Sequence, residues 1–267
     1  MKYSNLHQHT NFSDGKNTAE EVVLSAISKN MESIGFSDHS YTSIDESYCM
    51  MPSDYPLYHA EIDSLKQKYA DKIKVFKGIE LDYYSTVDAS EFDYVIASIH
   101  YLYEGGVCYA IDHTLQDQLD YIKNHCNGDK NKFASDYFNL LTAHVKNVKP
   151  LFVGHFDVIT KFGLFDTDNE KYREIALNAL KETIKYCNVF EMNTGAISRK
   201  RRSVPYPEKY LLEEIYKLGG EITLCSDSHA SDTVNFYFDE CVEILKEIGF
   251  TYFLKFDGKQ FYKEFIK

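Results

Sequence analysis

The strongest constraint on this chain is an alternation of two patterns. A short apolar run rich in β-branched and aromatic residues ends in a histidine or a carboxylate, and a helical pattern follows. Such runs occupy 3–9, 34–38, 75–81, 94–100, 152–155, 189–193, 222–226 and 252–255. Helical patterns occupy 18–30, 58–69, 115–124, 132–146, 170–186, 208–218 and 239–248. The first opens on a capping box, Thr18 with Glu21, and carries Val22, Val23, Ala26 and Ile27 as its apolar positions. Strand–helix alternation with short connections predicts an α/β protein with a parallel sheet, open or closed into a barrel. The polar residues favour the barrel. His7 and His9, Asp38 and His39, Glu80, His100, His155 and Asp157, Glu191 and Asn193, and Asp227 and His229 all fall at or just past strand ends. A barrel gathers those ends at one mouth, whereas an open sheet spreads them along an edge.

In H-Q-H, alternate side chains of an extended strand share a face, so His7 and His9 point together and Gln8 points away. Imidazole is a common ligand for zinc, iron and manganese. One such pair is weak evidence, and His59, His113, His125 and His144, in helical or loop context, read as ordinary structural residues. Recurrence is stronger evidence. G-I-E, S-I-H, G-H-F-D and S-D-S-H repeat one form, a strand terminating in His, Asp or Glu. Six histidines and three carboxylates buried at one rim would carry a heavy desolvation cost, and divalent cations would neutralise it.

Composition sets the outer bounds. The 267 residues carry 41 acidic and 29 basic side chains, a formal charge of −12. That argues against a broad nucleic-acid or anionic-membrane surface. No apolar run is long enough to span a bilayer, and M-K-Y-S-N-L-H has no apolar signal core. Six cysteines without a C-x-x-C pair suggest free thiols in a reducing cytoplasm. No linker, low-complexity tract or repeat divides the chain, so one domain over 1–267 is expected. Twenty-two tyrosines and 18 phenylalanines are expected to pack between sheet and helices.

Seven stretches in order resemble the motifs of the polymerase and histidinol phosphatase (PHP) superfamily: H-Q-H-T-N-F-S-D-G, F-S-D-H-S, G-I-E-L-D-Y, S-I-H-Y, G-H-F-D-V-I-T-K-F, E-M-N-T-G-A-I-S-R and L-C-S-D-S-H. The likeness is greatest to the stand-alone histidinol-phosphate phosphatases. It implies a distorted (β/α)7 TIM-like barrel with three divalent ions (Zn, Mn or Fe) at the C-terminal ends of the strands. One of the eight strand candidates, such as 252–255, is then peripheral. Carried over by position, the resemblance assigns His7, His9, Glu80 and Asp227 to one metal. Glu80, His100 and His155 hold a second, with Glu80 as the bridge, and Asp14, His39 and His229 hold a third. Asp14 stands where some members have histidine, and a harder ligand tilts that site toward manganese or iron.

The implied activity is hydrolysis of L-histidinol phosphate, in histidine biosynthesis, by a metal-bridging hydroxide. Three divalent ions against Asp14, Glu80 and Asp227 leave about +3 locally, which would let an acidic protein take an anionic ester. Asp227 is the candidate proton shuttle. Arg199, then Lys161 and Arg202, are candidate phosphate partners, and Asp82 is a candidate for the ammonium or imidazole. Tyr41, Tyr101 and Tyr103 lie near motif residues and are candidates for shaping the pocket. Gly105–Gly106 reads as a lid hinge or a turn. Other readings are a PHP phosphoesterase for phosphotyrosine or nucleotides, an editing nuclease, and a metal-loaded barrel without catalysis.

Overall fold

The computed structural model describes residues 1–267. Its chain runs β1 (Ser4–Asn5), α1 (Ala19–Ser28), β2 (Ser33–Phe36), α2 (Tyr55–Lys68), β3 (Lys74–Asp82), β4 (Tyr94–Ser98), β5 (Tyr101–Glu104) and β6 (Val107–Ala110). It continues α3 (Leu115–His125), α4 (Lys130–Val148), β7 (Phe152–Val153), α5 (Glu170–Thr183), β8 (Val189–Asn193), α6 (Gly195–Ser198), α7 (Lys209–Lys217), β9 (Glu221–Cys225), α8 (Phe238–Ile248), β10 (Tyr252–Phe256) and β11 (Phe261–Phe265). The main sheet has the order β1-β2-β3-β4-β7-β8-β9-β10-β11, and every pairing but the last is parallel.

Seven of those strands form the expected ring. Past the end of β1, Gln8 makes a parallel bridge to Ser228, just past β9. Side chains complete the seam: Asn5 Nδ2 donates to Ser226 Oγ at 2.8 Å, and Ser226 N–H donates to Asn5 Oδ1 at 3.1 Å. The ring closes by this one bridge and not by a continuous ladder. At the opposite end of the seam β10 lies beside β9, and Lys255 donates to the Lys2 carbonyl at 3.2 Å. The candidate strand 252–255 is therefore β10, outside the seven.

Local sequence explains the helices. Thr18 and Glu21 make the reciprocal capping bonds expected of them, and Thr114 with Asp117 does the same for α3. In α8, Phe238, Cys241, Val242 and Leu245 are the buried residues, the i, i+3, i+4, i+7 stripe of a helix lying on a sheet. Gly249, at φ 116°, ends it.

Tyr94 plugs the barrel. Its hydroxyl donates to the Leu6 carbonyl at 2.5 Å, and its ring lies against two glycines. A Cβ on Gly78 would stand 2.2 Å from Tyr94 Cζ, and one on Gly35 2.3 Å from Tyr94 Oη. These strands can flank the ring only without side chains there.

The expected strands 3–9 and 152–155 shrink to Ser4–Asn5 and Phe152–Val153, because the backbone leaves the ladder before the histidines. The sequence pattern missed the β5–β6 hairpin, α6 and β11. Gly105 and Gly106, at φ 59° and 84°, form the turn of that hairpin. All six cysteines are free thiols. No helix is long and apolar enough to cross a membrane.

Candidate metal centre and substrate cavity

Every proposed ligand but Asp14 sits near or just past the C-terminal end of a barrel strand, and Asp14 lies in the loop between β1 and α1. Glu80 on β3 is the centre. Its Oε2 lies 3.3 Å from His7 Nε2, 3.7 Å from His9 Nε2 and 2.9 Å from His39 Nδ1. Its Oε1 lies 3.0 Å from His155 Nε2 and 3.4 Å from His100 Nε2. Asp227 Oδ1 is 3.2 Å from His9 Nε2 and 3.8 Å from His7 Nε2. Asp14 approaches His229 Nε2 at 3.1 Å, His39 Nε2 at 3.7 Å and His9 Nδ1 at 3.8 Å. Three sets have donor atoms within 4.8 Å of one another: His9, Asp14, His39 and His229; His7, His9 and Glu80; and His39, Glu80 and His100. His9 and His39 thus each belong to two sets, a sharing that spacing along the chain does not reveal.

Hydrogen bonding tests whether cations fit. His7 Nε2, both ring nitrogens of His9 and Glu80 Oε2 are buried without a hydrogen-bond partner. Unpartnered polar atoms so placed are costly. A divalent cation supplies the missing partner, and the mixed imidazole–carboxylate donor set suits one. Groups behind the ligands aim them. Glu191 Oε2 lies 2.8 Å from His7 Nδ1, and Asp82 Oδ2 lies 3.3 Å from His100 Nδ1. The Glu191 bond leaves His7 Nε2 as the lone-pair nitrogen facing the centre, whereas Asp82 holds His100 through the His100 backbone N–H and not through the ring. Burial, with His229 and His39 alongside, pushes the His9 imidazole down to about 3, so it is neutral and able to ligate. Burial alone would raise the Glu80 carboxyl, but His7, His100 and His39 outweigh it and hold it well below the usual range. Asp227 is likewise held down, with Arg199 and His7 overcoming its burial. The Asp227 backbone, at φ 43°, occupies the left-handed region, a local cost of about 1–3 kcal/mol that turns the carboxylate inward.

A cavity of about 350 Å³ opens over this centre. Arg199, Lys161 and Tyr101 line it, as expected. Arg199 Nη1 donates to the Asp227 carbonyl at 2.7 Å and Nη2 to Asp227 Oδ2 at 3.1 Å. Gly195 makes room for that pair, since a Cβ there would stand 2.7 Å from Asp227 Oδ2. Lys161 Nζ is paired to Asp112 at 3.0 Å.

Two expected substrate contacts are corrected. Arg202 does not line the cavity. Its guanidinium stacks 4.3 Å over the Tyr206 ring, donates to Thr160 Oγ1 and pairs with Glu208 at 2.5 Å. Asp82 is 2% exposed and spends its oxygens on the N–H groups of His100 and Tyr84, both at 2.9 Å. It positions a ligand and cannot reach a substrate. Tyr41 and Tyr103 also lie off the cavity: Tyr41 bonds Glu46, and Tyr103 is exposed on the hairpin. His144 is structural, with Nε2 donating to the Leu81 carbonyl at 2.7 Å. His113, read as an ordinary loop residue, stands at the rim, and Asp45, Ser47, Tyr48, Asp112, Phe162 and Arg201 join the lining.

The PHP domain family model matches residues 5–195. The chain belongs to the PHP family. Its relatives include the histidinol-phosphatase of Lactococcus lactis, 27% identical over 97% of this chain and 96% of that one. A "probable histidinol-phosphatase" of Schizosaccharomyces pombe is 26% identical over 87% of this chain and 81% of its own length. The solved histidinol phosphate phosphatase of L. lactis, complexed with zinc, L-histidinol and phosphate, superposes with a TM-score of 0.76. It is 24% identical and covers 98% of this chain and 99% of that one, a likeness of fold.

Proposed function

We propose that this PHP-family protein is a divalent-metal-dependent phosphomonoesterase that hydrolyses L-histidinol phosphate to L-histidinol and phosphate. It acts as one domain over 1–267, in the cytoplasm, with three ions drawn from zinc, manganese and iron. The observation that carries the reading is a set of unpartnered, buried atoms on His7, His9 and Glu80, behind a cavity lined by the other six proposed ligands and by Arg199. The names of the relatives support the choice of substrate.

His7, His9, Glu80 and Asp227 would hold one ion, Glu80, His100 and His155 the second, and Asp14, His39 and His229 the third. Bound there, divalent ions lower the pKa of water into the neutral range and neutralise phosphoryl charge. Arg199, already at the cavity wall, turns its N–H groups to the phosphoryl oxygens, a planar donor array suited to them. Asp227 accepts the proton of the attacking water and returns it to the departing alkoxide. Its Oδ2 is steadied for this by Arg199 at 3.1 Å and Asn193 Nδ2 at 3.3 Å. Lys161 adds positive charge at the rim, tempered by Asp112. Tyr101 acts through Asp45, to which its hydroxyl donates at 2.7 Å.

The deciding experiment measures metal content and kcat/KM for L-histidinol phosphate, phosphotyrosine and nucleoside monophosphates, before and after chelation. Histidinol phosphate should lead, and activity should return with added metal. A higher kcat/KM for another ester, or full activity in metal-free protein, would refute the proposal.

A further inference from the structure

Four carboxylates line the cavity, and three of them are answered by basic or imidazole groups. Asp14 faces His39 and His229, Asp227 faces His9 and Arg199, and Asp112 faces Lys161. Asp45 is the exception, since no lysine, arginine or histidine nitrogen lies within 4.0 Å of it. Neutral donors hold it instead. Oδ1 accepts from Ser47 N–H at 2.9 Å and Ser47 Oγ at 2.7 Å, and Oδ2 accepts from Tyr101 Oη at 2.7 Å. A carboxylate offers about four lone-pair sites, so one on Oδ2 stays open. Burial tends to raise its pKa, but the Ser47 and Tyr101 bonds, with His113 at the same rim, outweigh that and keep it below the usual value. The result is a fixed, ionised acceptor that no basic group contacts directly.

Its surroundings suit an organic cation. The Tyr48 ring lies 5.7 Å from the Tyr101 ring, 4.8 Å from His39 and 6.2 Å from His100. An aromatic surface therefore runs from Asp45 to the metal ligands, and such faces attract cations. The basic side chains come from across the ring. Asp45 lies in the loop after β2, whereas Lys161 follows β7 and Arg199 and Arg201 follow β8. The mouth is thus divided between an anion-binding arc and a lone carboxylate facing it.

We infer that Asp45 is the specificity determinant of this cavity, receiving the ammonium group of an amino-bearing phosphate ester, with Tyr101 as its positioning residue. The inference rests on the phosphatase reading and adds how the organic part of the substrate is chosen. Asp82, the sequence-level candidate for that role, is sealed behind His100.

The test compares wild type, Asp45→Asn and Tyr101→Phe on L-histidinol phosphate, its N-acetyl derivative and p-nitrophenyl phosphate. Asp45→Asn should lower kcat/KM for L-histidinol phosphate by about tenfold or more, mainly through KM, and leave the two esters without an ammonium within about twofold. Tyr101→Phe should move the same ratio less, and Asp45→Glu should restore part of it. An equal loss on all three esters, or no loss on any, overturns the inference. Failure of the wild type to hydrolyse histidinol phosphate would instead sink the proposed function. Asp45 would then be judged on O-phosphoethanolamine against ethyl phosphate. A wild-type preference for the amine that Asp45→Asn abolishes upholds it, and equal rates in wild type overturn it.

Discussion

Replacing Glu191 with glutamine changes one oxygen to an NH2 group and should cost the centre its metal. Glu191 is fully buried and occupied on both oxygens. Oε2 meets His7 Nδ1 at 2.8 Å, while Oε1 accepts from His155 N–H at 2.6 Å and Asn193 Nδ2 at 2.8 Å. Glutamine has two orientations there. With its NH2 toward His7, Nδ1 must become an acceptor, the ring proton moves to Nε2, and the ligand lone pair is lost. With its NH2 toward His155 and Asn193, it meets two donors head-on. Either way one charge-assisted bond is removed, worth about 1.5–3 kcal/mol. If that energy is drawn from metal binding, affinity falls by about 10–100-fold, the range typical of groups that orient a metal-bound histidine. The assay is competition with a chelator of known affinity on apo protein, with circular dichroism to verify the fold. Unchanged metal affinity in folded Glu191→Gln protein would refute the tautomer argument.

Three other outcomes follow from the same geometry. Stripping the metal should lower Tm, because an ion that binds only the folded chain stabilises it by about 4 kcal/mol at a thousand times its Kd; equal Tm values with and without chelator would contradict this. Gly78→Ala should destabilise the fold by about 1–3 kcal/mol or more in urea titration, since its Cβ would fall 2.2 Å from the Tyr94 ring. Glu32 is pushed up by burial but pulled further down by Lys255 and Tyr262, so its folded-state pKa is depressed. The stability from that pair is then present above the ordinary glutamate pKa and lost as pH falls through the folded value. The Tm gap between wild type and Lys255→Met should be widest near neutral pH and shrink on acidification.

The barrel and its rim were legible because one chemistry recurs at each strand end, and alternation along a strand fixes which side chains face inward. Glu80 and Asp82 show where that logic stops. Both lie on the same face of β3, two residues apart, yet Glu80 keeps an unpartnered oxygen while the His100 and Tyr84 amides consume Asp82. The Tyr84 amide is local, but nothing in the sequence around Asp82 tells that the His100 N–H, just past β4, will fall on its other oxygen. Arg201 and Arg202 make the same point in a loop. The chain passes through a left-handed residue at Lys200, φ 57°, after which Arg201 lines the cavity and Arg202 stacks on Tyr206. Asp45 and Tyr48 sit in a segment with no periodicity, so only the folded loop could reveal them.

Charge connects these details to catalysis. The protein is acidic overall, and the cavity itself sets four carboxylates against Lys161, Arg199 and Arg201. Asp112 offsets the first of these cations and Asp227 leans on the second, so the side chains alone give a phosphate little to approach. Divalent ions held as proposed would reverse that sign, answering Asp14, Glu80 and Asp227 with charge to spare. Once they do, Asp45 is the acidic group at the mouth that neither an ion nor a basic side chain contacts directly. The same cations that create a site for phosphate thus leave one fixed negative charge for the opposite end of the substrate. A doubly anionic ester gains at one end and is repelled at the other, whereas an amino-bearing ester satisfies both.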